Sequence, residues 1–117
     1  GFMSYRAIHR YARISPRKVR PVTQLISGMY VEDARHTLKG IHNRGARFVE
    51  KVLASAAANA EDRGVRQVAE LRVVEARVDP GPMFKRLQPR ARGMAFQIRK
   101  RFSHIHVVVD LPGAIVD

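Results

Sequence analysis

Between Asn43 and Gly64, the apolar residues Val49, Val52, Leu53, Ala56, Ala57 and Ala60 recur every three or four positions. That interval predicts an α-helix with one buried stripe. Asn43 stands where a side chain can cap the first turn, and Gly64 where a helix can stop. The alanines of the stripe let a second element approach closely. Another apolar set, Val19, Val22 and Ile26, follows Ser15 and Pro16, which read as an N-cap and a first-turn proline, and Gly28 supplies the stop. Pro21 disturbs this segment. It lacks the amide that would bond back to Arg17 and crowds that carbonyl, so a kink or an irregular first turn is expected. Val31–Ile41 reads as a short middle helix with Ala34 and Leu38 inward.

Past Gly64 the period changes from helical to alternating. In "AELRVVEARVD", Val74, Ala76 and Val78 fall on one face and Glu75, Arg77 and Asp79 on the other. In "FSHIHVVVD", Ile105, Val107 and Val109 share a side. The two segments are expected to pair as a hairpin whose base joins the core. Near the start, "YRAIHRYARI" (residues 5–14) carries no helix signal and reads as a strand or extended arm. The expected architecture is a small single α+β domain: three helices packed on a short antiparallel sheet, with a long protruding β-hairpin. Its body takes in about residues 5–79 and 103–110, and its arm about 80–102. Symmetric pairing puts the turn near Gln88–Arg92, and the arm then reaches on the order of 30 Å past its base.

Charge changes the meaning of that arm. The net charge of the 117-residue chain is +12, and it is unevenly spread. Residues 1–31 hold six basic and no acidic side chains, residues 32–79 nine basic and eight acidic, and residues 80–117 seven basic and two acidic. Nothing acidic lies between Asp79 and Asp110. A solvated surface face normally intersperses acids. A lone two-stranded ribbon is marginal in water even without repulsion, so its neutralising partner must lie outside the chain. Within the arm Arg outnumbers Lys five to two, and the planar guanidinium suits phosphates and stacks on bases. A second basic set comprises Arg6, Arg10, Arg13, Arg17, Lys18 and Arg20, several of them at the mouth of the first helix. Two separated basic surfaces on so small a body point to a surrounding RNA scaffold.

Other classes are disfavoured. The chain has no cysteine, which excludes disulfide scaffolds and thiolate zinc sites. Its apolar runs are too short to span a bilayer and it shows no apolar signal segment, so an intracellular protein is expected. A membrane-surface protein would want a basic amphipathic helix, whereas the strongest helix here mixes its charges. His104 and His106 share a strand face, which is at most half a metal site, and Ser103 beside His104 points the other way. Phosphate-cradling glycine loops and zinc-protease motifs are missing. No catalytic residue, metal or cofactor is assigned.

Three strings carry a resemblance. "ISPRKVR" opening a helix, "RGARFVEKVLASAAANAE" as the long helix, and the hairpin pattern GPxxKRxxPRARGxAxxIxKRxSHIxV are similar to the bacterial-type large-subunit ribosomal protein twenty-two family, in order from about Tyr5 to Val109. The resemblance implies a non-catalytic constituent of the large ribosomal subunit that binds its rRNA beside neighbouring ribosomal proteins and supports assembly. It implies one copy per ribosome, in the cytoplasm or in an organelle, and a hairpin tip lining the nascent-peptide exit tunnel. Carried over, Lys85, Arg86, Gln88, Pro89, Arg90, Ala91, Arg92 and Gly93 form the tip and its flanks. By the same resemblance Arg13, Arg17, Lys18, Arg20, Arg99, Lys100, Arg101, Ser103 and His104 contact RNA; Arg6 and Arg10 of the N-terminal basic set and Lys85, Arg86, Arg90 and Arg92 of the arm are expected to bind rRNA as well. Pro21, Met94 and Phe102 depart from the family's usual aliphatic residue, Arg and Thr.

Overall fold

The side chain of Asn43 accepts a hydrogen bond from the amide of Ala46 at 2.7 Å, and the longest helix begins there. In the computed structural model, residues 4–82, 84–89 and 95–111 are described, with 84–89 and 95–100 at the level of backbone pairing. The element order is β1 (Tyr5–Ala12), α1 (Pro16–Ile26), α2 (Val31–Lys39), α3 (Arg44–Asp62), a short 3-10 turn (Val68–Glu70), β2 (Arg72–Pro80), β3 (Phe84–Pro89), β4 (Ala95–Lys100) and β5 (Ser103–Asp110). β5 is central in a three-stranded antiparallel sheet, between β1 and β2. β3 and β4 form a separate two-stranded ribbon. The α+β reading holds.

The helices cover one face of this sheet. Val19, Val22 and Ile26 of α1, Ala34 and Leu38 of α2, and the α3 stripe from Val49 to Ala60 are all buried, as their spacing predicts. They meet Tyr5, Val73, Val78, Ile105, Val107 and Val109 from the sheet. Gly28 and Gly64 both have positive φ, 86° and 93°, a conformation that an L side chain resists. After α1 the chain folds back on β2: Gly28 N–H donates to Val73 O, Val73 N–H to Met29 O, and Val31 N–H to Leu71 O.

Four expectations need correction. Ser15 holds the N-cap position but its hydroxyl caps nothing; the backbone closes the first turn instead, Lys18 N–H donating to Ser15 O at 3.1 Å. α1 then continues through Pro21 to Ile26. α2 ends at Lys39 rather than Ile41: the Gly40 amide is shared between the carbonyls of His36 and Thr37, and the Ile41 amide bonds to Leu38 O, so the last turn tightens to i−3 bonds. In β2, Val73 rather than Val74 enters the core. A register shift between Val73 and Glu75 leaves Val74 as an extra residue and reverses the alternation on its N-terminal side. Finally, β3 pairs with β4 as far as Pro89 with Ala95, so Gln88 and Pro89 belong to a strand, and the rest of the expected turn lies outside the described residues. The molecule measures 63 × 29 × 28 Å, a long axis in keeping with the expected reach of the ribbon.

Candidate nucleic-acid interface

Among the described residues, four acids lie within ion-pair distance of a basic or imidazole side chain. Glu32 pairs with His36 at 3.1 Å, Glu50 with Arg47 at 3.2 Å, and Glu75 with Arg77 at 3.0 Å. Asp79 lies 3.4 Å from Arg77 and 3.1 Å from His106. By contrast Arg6, Arg10, Arg13, Arg17, Lys18, Arg20, Arg44 and Arg101 are exposed and pair with no acidic side chain among the described residues. Unpaired cations in such number cost self-repulsion that an external anion relieves.

Position sorts these cations into groups. Arg17 and Arg20 on α1 face Arg101, just before β5, across a cleft floored by Pro16, Pro80, Gly81 and Phe102. Arg101 and Phe102 also line a neighbouring recess with Arg13 and Arg44. Arg10 lies farther along β1, in a recess that includes His9 and Lys51. Arg6 is near the other end of β1, beside Asn59, Asp62 and Arg63; its carbonyl accepts from the Asn59 amide at 2.8 Å. Thus the structure gathers Arg13, Arg17, Arg20 and Arg101 around Phe102, while Arg6 and Arg10 extend the basic surface along the sheet edge.

Ser103 takes a different place. It is fully buried, and its hydroxyl donates to the Ile14 carbonyl at 2.6 Å, tying β5 to the loop before α1. That side chain is a tie within the body, not a surface group. His104 and His106 do share the sheet face away from the helices, both half-buried. His104 Nδ1 accepts the Tyr11 amide at 3.1 Å, so in neutral His104 the proton resides on Nε2. The carboxylate that sequence order kept away from His106 arrives across the ladder: Asp79 pairs with His104 and reaches His106. Burial, then the Arg77 charge, holds the His106 pKa below the usual imidazole value despite the pull of Asp79 and Glu75. Among the described residues no three His, Asp or Glu side chains gather as a metal site.

Of the ribbon, Lys85, Arg86, Gln88 and Pro89 lie on β3, with Arg99 and Lys100 on β4; Lys85 is opposite Arg99 and Phe84 opposite Lys100. Arg90, Ala91, Arg92, Gly93 and Met94 lie outside the described residues. Two members of the basic face escaped sequence reasoning. Arg44 sits in the charge-balanced middle of the chain, where counting hides it, yet its guanidinium lies 5.6 Å from the Phe48 ring centroid and it shares the recess with Arg13 and Arg101. Tyr11 reads as one more strand residue, but it is 56% exposed at an irregularity of β1. No described helix is long and apolar enough to cross a membrane.

Comparison with known proteins finds matches over most of the chain. Residues 7–110 match the family model described as "Ribosomal protein L22p/L17e". The "Large ribosomal subunit protein uL22" of Rhodopirellula baltica is 52% identical over 108 residues, covering 88% of this chain and 91% of the relative. That of Caldicellulosiruptor saccharolyticus is 56% identical over 100 residues, covering 86% and 82%. That of Thermus thermophilus is 53% identical over 107 residues, covering 92% and 95%. Matched by the family model over nearly its whole length, and more than half identical to each of these relatives, the chain belongs to the L22p/L17e family of ribosomal proteins, which are structural rather than catalytic.

Proposed function

We propose that the protein is a structural constituent of the large ribosomal subunit, bound to the subunit's rRNA through Arg13, Arg17, Lys18, Arg20 and Arg101, with Arg6 and Arg10 extending the contact. The carrying observation is the set of exposed cations around the β1–α1 corner that have no acidic partner among the described residues. RNA phosphates supply the missing counter-charge. The relatives' names add the particular complex.

The same reading extends to the ribbon. Lys85, Arg86, Arg99 and Lys100 stand on two strands that, among the described residues, pair only with each other. Such a ribbon is best used threaded between RNA segments, with Gln88, Pro89 and residues 90–93 at a tip facing the nascent-peptide tunnel. The protein then supports assembly by holding RNA segments together, touches neighbouring ribosomal proteins, meets the nascent peptide transiently, and resides in single copy on cytoplasmic or organellar ribosomes. Sedimentation tests this. The protein should travel with large subunits after a moderate salt wash; release into the soluble fraction, with binding to assorted free RNAs, would favour a mobile RNA chaperone.

A further inference from the structure

Tyr11 is the one non-glycine residue with positive φ among those described, at 58°. Side chains avoid that region because Cβ crowds the backbone, and such strain persists only where the surroundings enforce it. Here the enforcing contact is visible. The pairing of β1 with β5 slips between His9 and Ala12, and the Tyr11 amide, turned out of the ladder, donates to His104 Nδ1.

The consequence is an unusual ring position. Tyr11 projects from the sheet edge, 56% exposed, rather than folding onto apolar neighbours. It is nonetheless held in orientation. His104 makes a T-shaped contact with it, 4.9 Å between ring centroids at an interplanar angle of 88°, and Phe102 another at 6.3 Å and 77°. Phe102 in turn lines the recess of Arg13, Arg44 and Arg101, none of which has an acidic partner among the described residues. A fixed, exposed aromatic ring beside several guanidinium groups matches the way proteins hold unpaired nucleotides: the base stacks on the ring and cations take the flanking phosphates.

We propose that Tyr11 is a stacking platform for an unpaired nucleobase of the bound RNA, with Arg13, Arg44 and Arg101 on the adjoining phosphates. The proposal rests on the RNA-binding reading above and adds that this corner selects single-stranded over fully paired RNA.

The test uses the full chain and two probes, a single-stranded RNA containing 2-aminopurine and a blunt RNA duplex. Tyr11→Gly is the informative variant, since glycine accepts the positive φ without strain and removes only the ring. Its affinity for the single strand should fall about tenfold or more, with the 2-aminopurine quenching lost, while duplex affinity and the salt slope stay as in the parent. Tyr11→Phe should keep the quenching. Arg101→Ala should instead lower the salt slope for both probes, by roughly 0.7–0.9. Unchanged single-strand binding by Tyr11→Gly, or an equal loss on both probes, overturns the platform but leaves RNA binding intact. Failure of the parent to bind either probe would overturn both readings.

Discussion

A Cβ placed on Gly45 would stand 2.9 Å from the carbonyl oxygen of Lys18. The first turns of α3 and α1 therefore touch backbone to backbone, which fixes the helix carrying Arg17, Lys18 and Arg20 against the longest helix of the core. Gly45→Ala should destabilise the protein by about 1–3 kcal/mol through overpacking, outweighing the roughly 1 kcal/mol that alanine gains in helix propensity. A urea melt decides it. A raised or unchanged midpoint would mean that the two helices separate at little cost.

Ser103 makes a comparable tie between β5 and the loop before α1, through its hydrogen bond to Ile14 O. Removing the hydroxyl leaves a carbonyl beside a fully buried site without its donor. Ser103→Ala should cost about 1–3 kcal/mol in a chemical melt while leaving the RNA affinity of the folded protein unchanged. Loss of RNA affinity without loss of stability would place Ser103 on the binding surface after all.

Those two contacts mark where the sequence stops being legible. The helices were readable because Val19, Val22, Ile26 and the α3 stripe obey one period, and burial follows period closely. Asn43, Gly28 and Gly64 were readable because their backbone roles are local. Val73 was not, since a single inserted residue at Val74 reverses the alternation without any change in composition. The place of Ser103 was not legible for a related reason: the family resemblance implies an RNA contact, and only folding brings Ile14 from a distant segment over its buried hydroxyl. The basic face was visible as a charge count, but only folding shows that Arg44 joins Arg13 and Arg101, or that Asp79 reaches His106 across two strands.

His106 gives the protein a pH dependence with a definite sign. Its folded pKa is lowered, by burial first and by Arg77 second, so the unfolded chain binds the proton more readily. Its contribution is therefore neutral well above the ordinary imidazole value of about 6.5 and becomes destabilising as pH falls through that value towards the lowered folded one. Stability measured by urea melts should drop across this window, and His106→Gln should flatten the drop. A variant that still loses stability as steeply would assign the effect to other groups.

The cleft between α1 and the start of β5 makes an electrostatic prediction. Arg17, Arg20 and Arg101 have no acidic partner among the described residues, so their replacement should cost little stability. For large-subunit rRNA fragments, each of the changes Arg17→Ala, Arg20→Ala and Arg101→Ala should weaken binding and reduce the slope of log affinity against log salt by roughly 0.7–0.9. Binding titrations at several salt concentrations measure this. A slope that stays at the parent value in all three variants would mean that the cleft does not meet phosphate.

The ribbon should be dispensable for folding but not for RNA affinity. Among the described residues, β3 and β4 pair only with each other, and the buried core side chains come from the helices, β1, β2, β5 and their connecting loops. The body also closes beneath the ribbon: Pro80 pairs with Ser103, and the Gly81 amide donates to Phe102 O at 2.9 Å. The strands approach so closely there that a Cβ on Gly81 would lie 3.1 Å from that of Phe102. Replacing residues 83–100 with a short glycine turn removes six Lys or Arg side chains and relieves their mutual repulsion. The shortened protein should therefore melt cooperatively, with protection from amide exchange retained at Val52–Ala57 and Val107–Val109. Its affinity for structured RNA should fall, because six candidate phosphate contacts are gone. Loss of a cooperative melt would show that the ribbon contributes to the fold itself, and the reading of its charge as meant for an external partner would then lose its support.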